Sequence, residues 1–379
     1  SNDVYTKFMV GGLYSDKDRD VDLYRFGIRA GDRVGSADFS INNDLEEALS
    51  YNNAALDVWR LGTNTTDTDS YEASEKYTAG YISADTDIGE SWTVSFGARY
   101  EDFEQELSYP NDPTAGNVLE EDDIYPSASL TYRLGEDWQF RGSYSETVSY
   151  PGLIERAESL VFDPNTDDPI FGNPDLVVSK IDNYDLRIEY YFSTDESISL
   201  AYFHKDIDDP IERGVPDASG SAANNGITFR NNESADLDGV ELDAYKVVWD
   251  DGENLLFISG NITYIDSEVE LTEDSIRLEG EDAIGRQLQG QSEWLGNIQI
   301  GYDHYPTEQK ITLLVNYFDD QIFRVTRGDN IGPEELAGRT LIDLNYEKLW
   351  GETLTMRLQI KNLLNEDFEY KRDGVAIES

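Results

Sequence analysis

Cysteine is absent from this 379-residue sequence, which excludes disulfides, thiol nucleophiles and thiolate metal ligands. Basic residues are scarce, with 29 Lys and Arg against 78 Asp and Glu and a formal net charge of −49. A field of that sign repels phosphate backbones and argues against nucleic acid as a partner. Long apolar runs are also missing: mean hydropathy is −0.57, and no segment approaches the roughly 18 apolar residues that a membrane-spanning helix requires.

Strand-like alternation, by contrast, runs along almost the whole chain. In the segment 182–203, Leu186 and Ile188 fall on one side of an extended chain, while Arg187 and Glu189 fall on the other. Roughly fourteen segments show this period of two, and no helix of ordinary length is indicated. The chain is therefore predicted to be all-β. A soluble sheet would bury the apolar face, whereas a membrane barrel turns that face to lipid and the polar face to a water-filled interior.

The connections between these segments alternate between short polar turns and long loops. Short turns occur at 89–91 and 135–137, among others, whereas the long connections cover approximately 31–75, 109–121, 151–179, 209–235, 267–286 and 319–336. The long ones far exceed the usual median of about 4–6 residues. This parity favours an antiparallel up-and-down transmembrane β-barrel with short periplasmic turns and long extracellular loops. The topology of a jelly roll or a Greek-key sandwich does not require short and long connections to alternate.

An ordered series of motifs points to one family. The motifs are WTVSFGARYE at 92–101, YPSASL at 125–130, RGSYSETVSYP at 141–151, GNPDL at 172–176, NYDL at 183–186, YFHKDI at 202–207, GVEL at 239–242 and KNLLN at 361–365. In this order they resemble TonB-dependent outer-membrane receptors, transporters of Gram-negative bacteria whose barrel is closed by an N-terminal plug. The resemblance covers nearly the whole chain.

The resemblance implies that residues 1–379 form a single partial β-barrel domain, roughly fourteen strands of a type with about 22. The plug domain, the first strands and the last strand are expected to be missing from the sequence. The implied function is import of a scarce solute across the outer membrane, using energy from the inner-membrane proton gradient. The solute could be a ferric siderophore, another chelate or an oligosaccharide. The implied partners are TonB, acting through the missing N-terminal part, and outer-membrane lipid and lipopolysaccharide; no cofactor is implied.

Candidate solute contacts lie in the long loops and at the strand ends beside them. Arginine suits anionic or chelated ligands, and aromatic rings suit sugars. The predicted substrate-binding residues are Tyr150, Arg156, Phe171, Arg213, Arg230, Arg286, Trp294, Arg324 and Arg327. The alternative for each of them is an ordinary contact within the protein.

Catalytic and metal sites are not predicted. By the parity of the connections, His204 and His304 belong to opposite ends of the barrel, so a shared site is not expected. Without such a pair, no Ser/His/Asp arrangement is available, and the chain is not expected to be an enzyme. The acidic segment 15–22 is interpreted as a solvated periplasmic turn rather than a cation site. The segment 163–168, in a long loop, is the better calcium candidate.

Two other functions fit part of the pattern. A secreted, acidic all-β adhesin or carbohydrate-binding module that depends on calcium would share the composition, but it would leave the cell without detergent. A passive porin would share the barrel but would have no plug upstream.

Overall fold

The computed structural model describes residues 3–30, 59–163, 168–217, 226–328, 331–351 and 353–378. In chain order the strands are β1 (Val4–Val21), β2 (Phe26–Ala30), β3 (Trp59–Thr63), β4 (Tyr71–Ile88), β5 (Trp92–Ser108), β6 (Asn117–Leu134), β7 (Trp138–Ser149), β8 (Leu160–Phe162), β9 (Pro169–Phe171), β10 (Ser179–Tyr191), β11 (Ser197–Asp208), β12 (Ile211–Gly214), β13 (Thr228–Asn231), β14 (Ser234–Asp250), β15 (Asn254–Glu270), β16 (Trp294–His304), β17 (Gln309–Phe318), β18 (Gln321–Arg324), β19 (Glu334–Leu336), β20 (Arg339–Trp350), β21 (Leu354–Ile360), β22 (Tyr370–Arg372) and β23 (Val375–Glu378).

Helical structure in the described residues consists of two short α-helices and two single 3₁₀ turns. The helices are α1 (Leu153–Arg156) and α2 (Glu273–Glu279), and the 3₁₀ turns are Glu281–Ala283 and Tyr305–Thr307. Neither described helix is long and apolar enough to cross a membrane.

One large antiparallel sheet contains thirteen strands in the order β1-β4-β5-β6-β7-β10-β11-β14-β15-β16-β17-β20-β21. Each strand pairs with the next long strand along the chain, so the sheet is an up-and-down meander. The all-β prediction and its meander topology are confirmed. The strand count of the main sheet is one below the roughly fourteen expected from alternation.

The connections of the main sheet keep the predicted parity. The short ones lie at 89–91, 135–137, 192–196, 251–253, 305–308 and 351–353, and the long ones at 22–70, 109–116, 150–178, 209–233, 271–293 and 319–338. We call the corresponding ends of the sheet the turn end and the loop end. Gly89 (φ 61°) and Gly135 (φ 67°) adopt the left-handed backbone that two of the tight turns require. The pairs β2-β3, β8-β9 and β12-β13 and the sheet β18-β19-β22-β23 all belong to the loop end.

Apolar side chains cover the outward face of the sheet. Leu186 is 62% exposed, Phe96 55% and Ile262 47%, and no second layer packs against this face in the described part of the chain. A soluble protein rarely leaves so large an apolar surface open to water. The buried apolar clusters lie instead at the loop end, for example around Leu107 and Tyr109 and around Leu176 and Phe229. The outward face is therefore built for lipid, which argues against a secreted adhesin.

The two acidic segments, 15–22 and 163–168, lie in different structural settings. The prediction of a turn at 15–22 is wrong, because β1 runs through Val21 and pairs with β4 up to Tyr71. Carboxylates at every second position suit the part of a strand that rises out of the membrane into water. The calcium candidate 163–168 lies mostly outside the described residues, and Asp168 itself is buried.

His304 borders a short turn and His204 lies toward the loop end, as predicted.

Candidate functional site

Three of the predicted arginines meet at the loop end. Arg213 comes from the β12-β13 hairpin, and Arg324 and Arg327 come from β18 and the residues after it. They line one narrow crevice together with other residues of the same loops, namely Gly214, Val215, Ile227, Gln289, Phe323 and Val325. We call this feature the arginine crevice. A cleft of about 320 Å³ adjoins it and shares Arg213, Gln289 and Phe323.

Gln289 joins the three loops that form the crevice. Its side-chain oxygen accepts a hydrogen bond from the backbone N–H of Arg213 (2.9 Å), and its side-chain nitrogen donates one to the carbonyl of Phe323 (2.7 Å). Nearby, Ile227 accepts from the backbone N–H of Phe171 (2.8 Å) and donates to the carbonyl of Pro169 (2.8 Å). These hydrogen bonds join the loop that carries β9 to the crevice-lining residue Ile227. Phe171, which is half-buried, belongs to β9.

Ion pairs surround the crevice. Arg324 forms ion pairs with Asp168 and, at 3.2 Å, with Glu334. Arg372 also reaches Glu334, at 3.4 Å. The side chain of Arg213 is 44% exposed, and its Nη1 is 4.0 Å from Asp163 Oδ2.

Arg327 is partly buried. Burial lowers the pKa of its guanidinium, and the positive charge of Arg324 lowers it further. Its Nη2 donates to the carbonyl of Gly226 at 3.1 Å. Arg213, Arg324 and Arg372 pair with the carboxylates of Asp163, Asp168 and Glu334. In a chain with a net charge of −49, this local concentration of arginines makes the crevice a candidate site for an anion.

Arg156 and Arg286 are occupied by the protein itself. Arg156 is 1% exposed, and its Nη1 donates to Gln105 Oε1 at 2.9 Å. Burial lowers the pKa of the Arg156 guanidinium. Arg286 lies between Glu212 (3.0 Å) and Glu279 (2.9 Å), all three with less than a tenth of the side chain exposed. The geometry gives both arginines a structural role in holding the loops to the strands.

The electrostatics of the Arg286 group follow from its burial. Burial by itself lowers the pKa of the Arg286 guanidinium, but hydrogen bonds to Glu212 and Glu279 outweigh it and raise the pKa above its ordinary value. Burial raises the pKa of the Glu279 carboxyl even though Arg286 opposes the shift. The cation holds two acidic side chains in a site from which water is almost excluded.

The other three predicted residues do not line the crevice. Arg230 is half-buried and donates to the carbonyl of Val215 at 2.8 Å. Trp294 is 42% exposed on the outward face, with its ring 4.9 Å from that of Tyr264, where an aromatic girdle residue belongs. Tyr150 lies against the inner wall, and its hydroxyl donates to Glu101 Oε2 at 3.0 Å.

Sequence reasoning missed the aromatic and charged neighbours of Tyr150. The Tyr150 ring stacks on Phe103 at 4.1 Å between centroids and meets Tyr77 edge-on at 6.1 Å. Arg99 donates to Glu101 (2.5 Å) and to the Tyr77 hydroxyl (2.9 Å). The sequence signal that could have identified them is their position on the inward-facing side of strands, close to the loop end. We call these five residues the inner aromatic patch.

Farther from the loop end, the inner wall is polar. A cavity of about 750 Å³ opens on the inward face of β10 through β20 and is lined in part by Arg187, Asp243, Asn261, Asn297 and Asn316. Asn297 donates to Asn261 at 3.0 Å and accepts from Asn316 at 2.7 Å. These side chains suit a water-filled interior.

The meander, its lipid-suited outer face and its polar inner wall define a transmembrane β-barrel of the outer-membrane class. The family described as "TonB dependent receptor-like, beta-barrel" matches residues 2–363. The chain belongs to this family, whose members are outer-membrane transport receptors. No curated protein matches the sequence.

Solved structures with the same fold include three siderophore receptors. The siderophore receptor PiuA from Acinetobacter baumannii is 17% identical with a TM-score of 0.64, and the match covers 98% of this chain and 51% of PiuA. The ferric-catecholate import receptor Fiu from E. coli is 14% identical (TM-score 0.58; 83% and 45% covered). The ferric enterobactin receptor PfeA from Pseudomonas aeruginosa, a mutant in complex with enterobactin, is 14% identical (TM-score 0.56; 95% and 49%). The chain spans about half the length of these proteins.

Proposed function

We propose that this chain is the barrel part of an outer-membrane receptor that imports a ferric siderophore or a similar anionic chelate. The energy would come from the inner-membrane proton gradient through TonB. The observation that carries the proposal is the arginine crevice, in which cations from separate long loops converge at the loop end. A negatively charged chelate would gain charge-assisted hydrogen bonds there, in a molecule whose overall field otherwise repels anions.

The arginines of the crevice divide into two roles. Arg213 and Arg327 are the proposed solute contacts, because Arg213 is the most exposed of the group and Arg327 holds its charge in a poorly solvated position. Arg324 and Arg372 instead neutralise Asp168 and Glu334 and thereby fix the loops. Phe323 and Phe171 would supply apolar walls beside the bound chelate.

Uptake and binding of labelled ferric siderophores test this proposal. The full-length receptor, expressed in a strain that lacks it, should accumulate iron from at least one anionic ferric chelate, and an uncoupler should abolish accumulation but not surface binding. Arg213→Gln and Arg327→Gln should each weaken binding by about 10-fold or more, the value of one lost charge-assisted hydrogen bond. Arg133→Gln, near a short turn, is the matched control and should bind like the wild type.

Two outcomes would reject the proposal. The first is a correctly inserted receptor that binds none of the catecholate, hydroxamate and carboxylate ferric chelates. The second is unchanged binding in both crevice variants. Thermal unfolding of each variant in detergent distinguishes lost contacts from lost folding.

An oligosaccharide is the second candidate solute, and the inner aromatic patch favours it. Tyr77, Phe103 and Tyr150 present rings on which sugars could stack, with Arg99 and Glu101 as hydrogen-bonding partners. This candidate predicts energy-dependent uptake of a glycan that Tyr150→Ala impairs and Arg327→Gln leaves intact. The opposite pattern supports the chelate.

A further inference from the structure

A compact group of metal-ligating side chains lies on the outward face of the sheet, away from the arginine crevice. His204 and Asp206 of β11 are register partners of Asp238 and Asp236 of β14. Ligand atoms of His204, Asp206 and Asp236 all lie within 4.8 Å of one another. We call these four residues the β11–β14 cluster. It contains one of the two histidines of the chain, to which no role has been given.

The contacts of His204 define the orientation of its imidazole ring. His204 Nδ1 is 3.1 Å from Asp238 Oδ1, and a carboxylate can only accept, so Nδ1 carries the proton. The other ring nitrogen, Nε2, lies 3.7 Å from Asp206 Oδ2, on the side of the ring where a metal ion could bind. The arrangement matches a histidine whose far nitrogen is oriented by a carboxylate while the near one binds a metal.

The neighbouring strands increase the need for a cation. Asp206 has Asp182 opposite it on β10 and Asp236 on β14, and Asp236 has Glu268 opposite it on β15. Like charges placed directly opposite each other destabilise a sheet. Among the described residues, no lysine or arginine forms an ion pair with Asp206, Asp236 or Asp238. Within the described residues, these three carboxylates therefore depend on His204 or on an external cation for counter-charge.

The backbone around the cluster is regular, and strand pairing defines its position in the sheet. All four residues belong to paired strands rather than to loops. Asp238 Oδ1 also accepts from the Tyr202 hydroxyl at 2.5 Å, which holds the orienting carboxylate. Tyr202 and Leu200 precede the cluster on the same outward face and are 41% and 50% exposed. The cluster thus begins where the exposed apolar side chains of β11 end, on the side of the loop end.

We propose that His204 Nε2 and the carboxylates of Asp206 and Asp236 bind one divalent cation of the Zn²⁺ class, with Asp238 orienting the imidazole. An imidazole combined with carboxylates favours Zn²⁺ over Mg²⁺ or Ca²⁺, which prefer oxygen ligands alone. Three protein ligands leave a coordination position open to water or to a phosphate of the surrounding lipid. The cation would neutralise the acidic row and join β11 to β14.

Zinc binding to the full-length receptor in detergent tests the site. After treatment with a chelator, equilibrium dialysis should give one more Zn²⁺ per chain for the wild type than for His204→Ala. His304→Ala is the matched control and should equal the wild type. Asp238→Asn should weaken binding by about 10- to 100-fold, as loss of an orienting partner does at other sites. Equal zinc binding by the wild type and His204→Ala overturns the proposal.

Thermal unfolding supplies a second test, because the wild type and Asp236→Asn should respond differently to Zn²⁺. Without metal, Asp236→Asn should unfold at the same temperature as the wild type or higher, because a like-charge contact is removed. With Zn²⁺, the wild type should gain stability and Asp236→Asn should not. If zinc stabilises both proteins equally, the cluster does not hold the cation. Uptake of the solute does not enter either measurement, so the result is independent of the proposed transport function.

Discussion

The membrane-facing wall and the loop end of this chain are stabilised in opposite ways. In the wall, the backbone ladder satisfies the polar groups and apolar side chains point away from the protein, as with Ile262 and Leu242. At the loop end, side chains turn inward, and small apolar clusters and buried ion pairs hold short strands together. The comparison teaches that lipid replaces the hydrophobic core only where the sheet crosses the membrane. Beyond the membrane the chain must build a core of its own.

The largest effect is expected where the loop end depends on a buried charge. Arg286→Ala would leave Glu212 and Glu279 buried without a cation, which costs about 3–5 kcal/mol for a broken buried pair. Limited proteolysis should then cut the loops while the wall stays intact. Arg277→Ala is the matched control, because Arg277 forms exposed ion pairs with Asp217 and Asp274, and it should change proteolysis little.

The Arg286→Ala defect should depend on pH in a defined direction. Burial raises the folded-state pKa of Glu279, so this group favours the folded state below its unfolded pKa and loses that contribution as pH rises through the folded pKa. Removing the cation raises the folded pKa further. The defect should therefore be largest near neutral pH and shrink on acidification. A defect that grows as pH falls would contradict the buried-pair account.

A smaller effect is expected from a charge placed on the wall. Ile262→Arg would put a cation on the lipid-facing side, at a cost of roughly 2–4 kcal/mol near the bilayer midplane. Asn261→Arg, one residue earlier on the polar inner wall and opposite Asp243, should be tolerated. Urea titrations in lipid vesicles measure both. Equal costs at the two positions would remove the distinction between the faces.

The smallest effect concerns a helix end in the loops. The Thr272 hydroxyl accepts from the backbone N–H of Ser275 at 3.1 Å and caps α2. Thr272→Ala should lower the free energy of unfolding by about 1 kcal/mol, whereas Thr272→Ser should preserve the cap. Proteolysis near α2 is the sensitive measurement. Identical cleavage in both variants would show that packing, not the cap, fixes this helix.

The sequence predicts the wall far better than the loop end, for a physical reason. The period of two in segments such as 182–203 is dictated locally, since neighbouring residues must face lipid and water in turn. By contrast, the partners of Arg156 and Arg286 lie 51 and 74 residues away in Gln105 and Glu212. No periodicity reveals such pairs, so both arginines resembled solute contacts. The error at 15–22 has a different cause: the acidic composition indicated a solvated turn, although carboxylates at every second position are also compatible with the strand β1.

Spin labels at consecutive positions of β10 test the central claim most directly, which is that the apolar face of each strand touches lipid. The sequence has no cysteine, so single substitutions Leu186→Cys, Arg187→Cys, Ile188→Cys and Glu189→Cys can be labelled in the receptor reconstituted in vesicles. Labels at 186 and 188 should be reached by oxygen dissolved in the bilayer, and labels at 187 and 189 by a water-soluble relaxation agent. Uniform access of the water-soluble agent to all four, or the reverse alternation, would contradict the account.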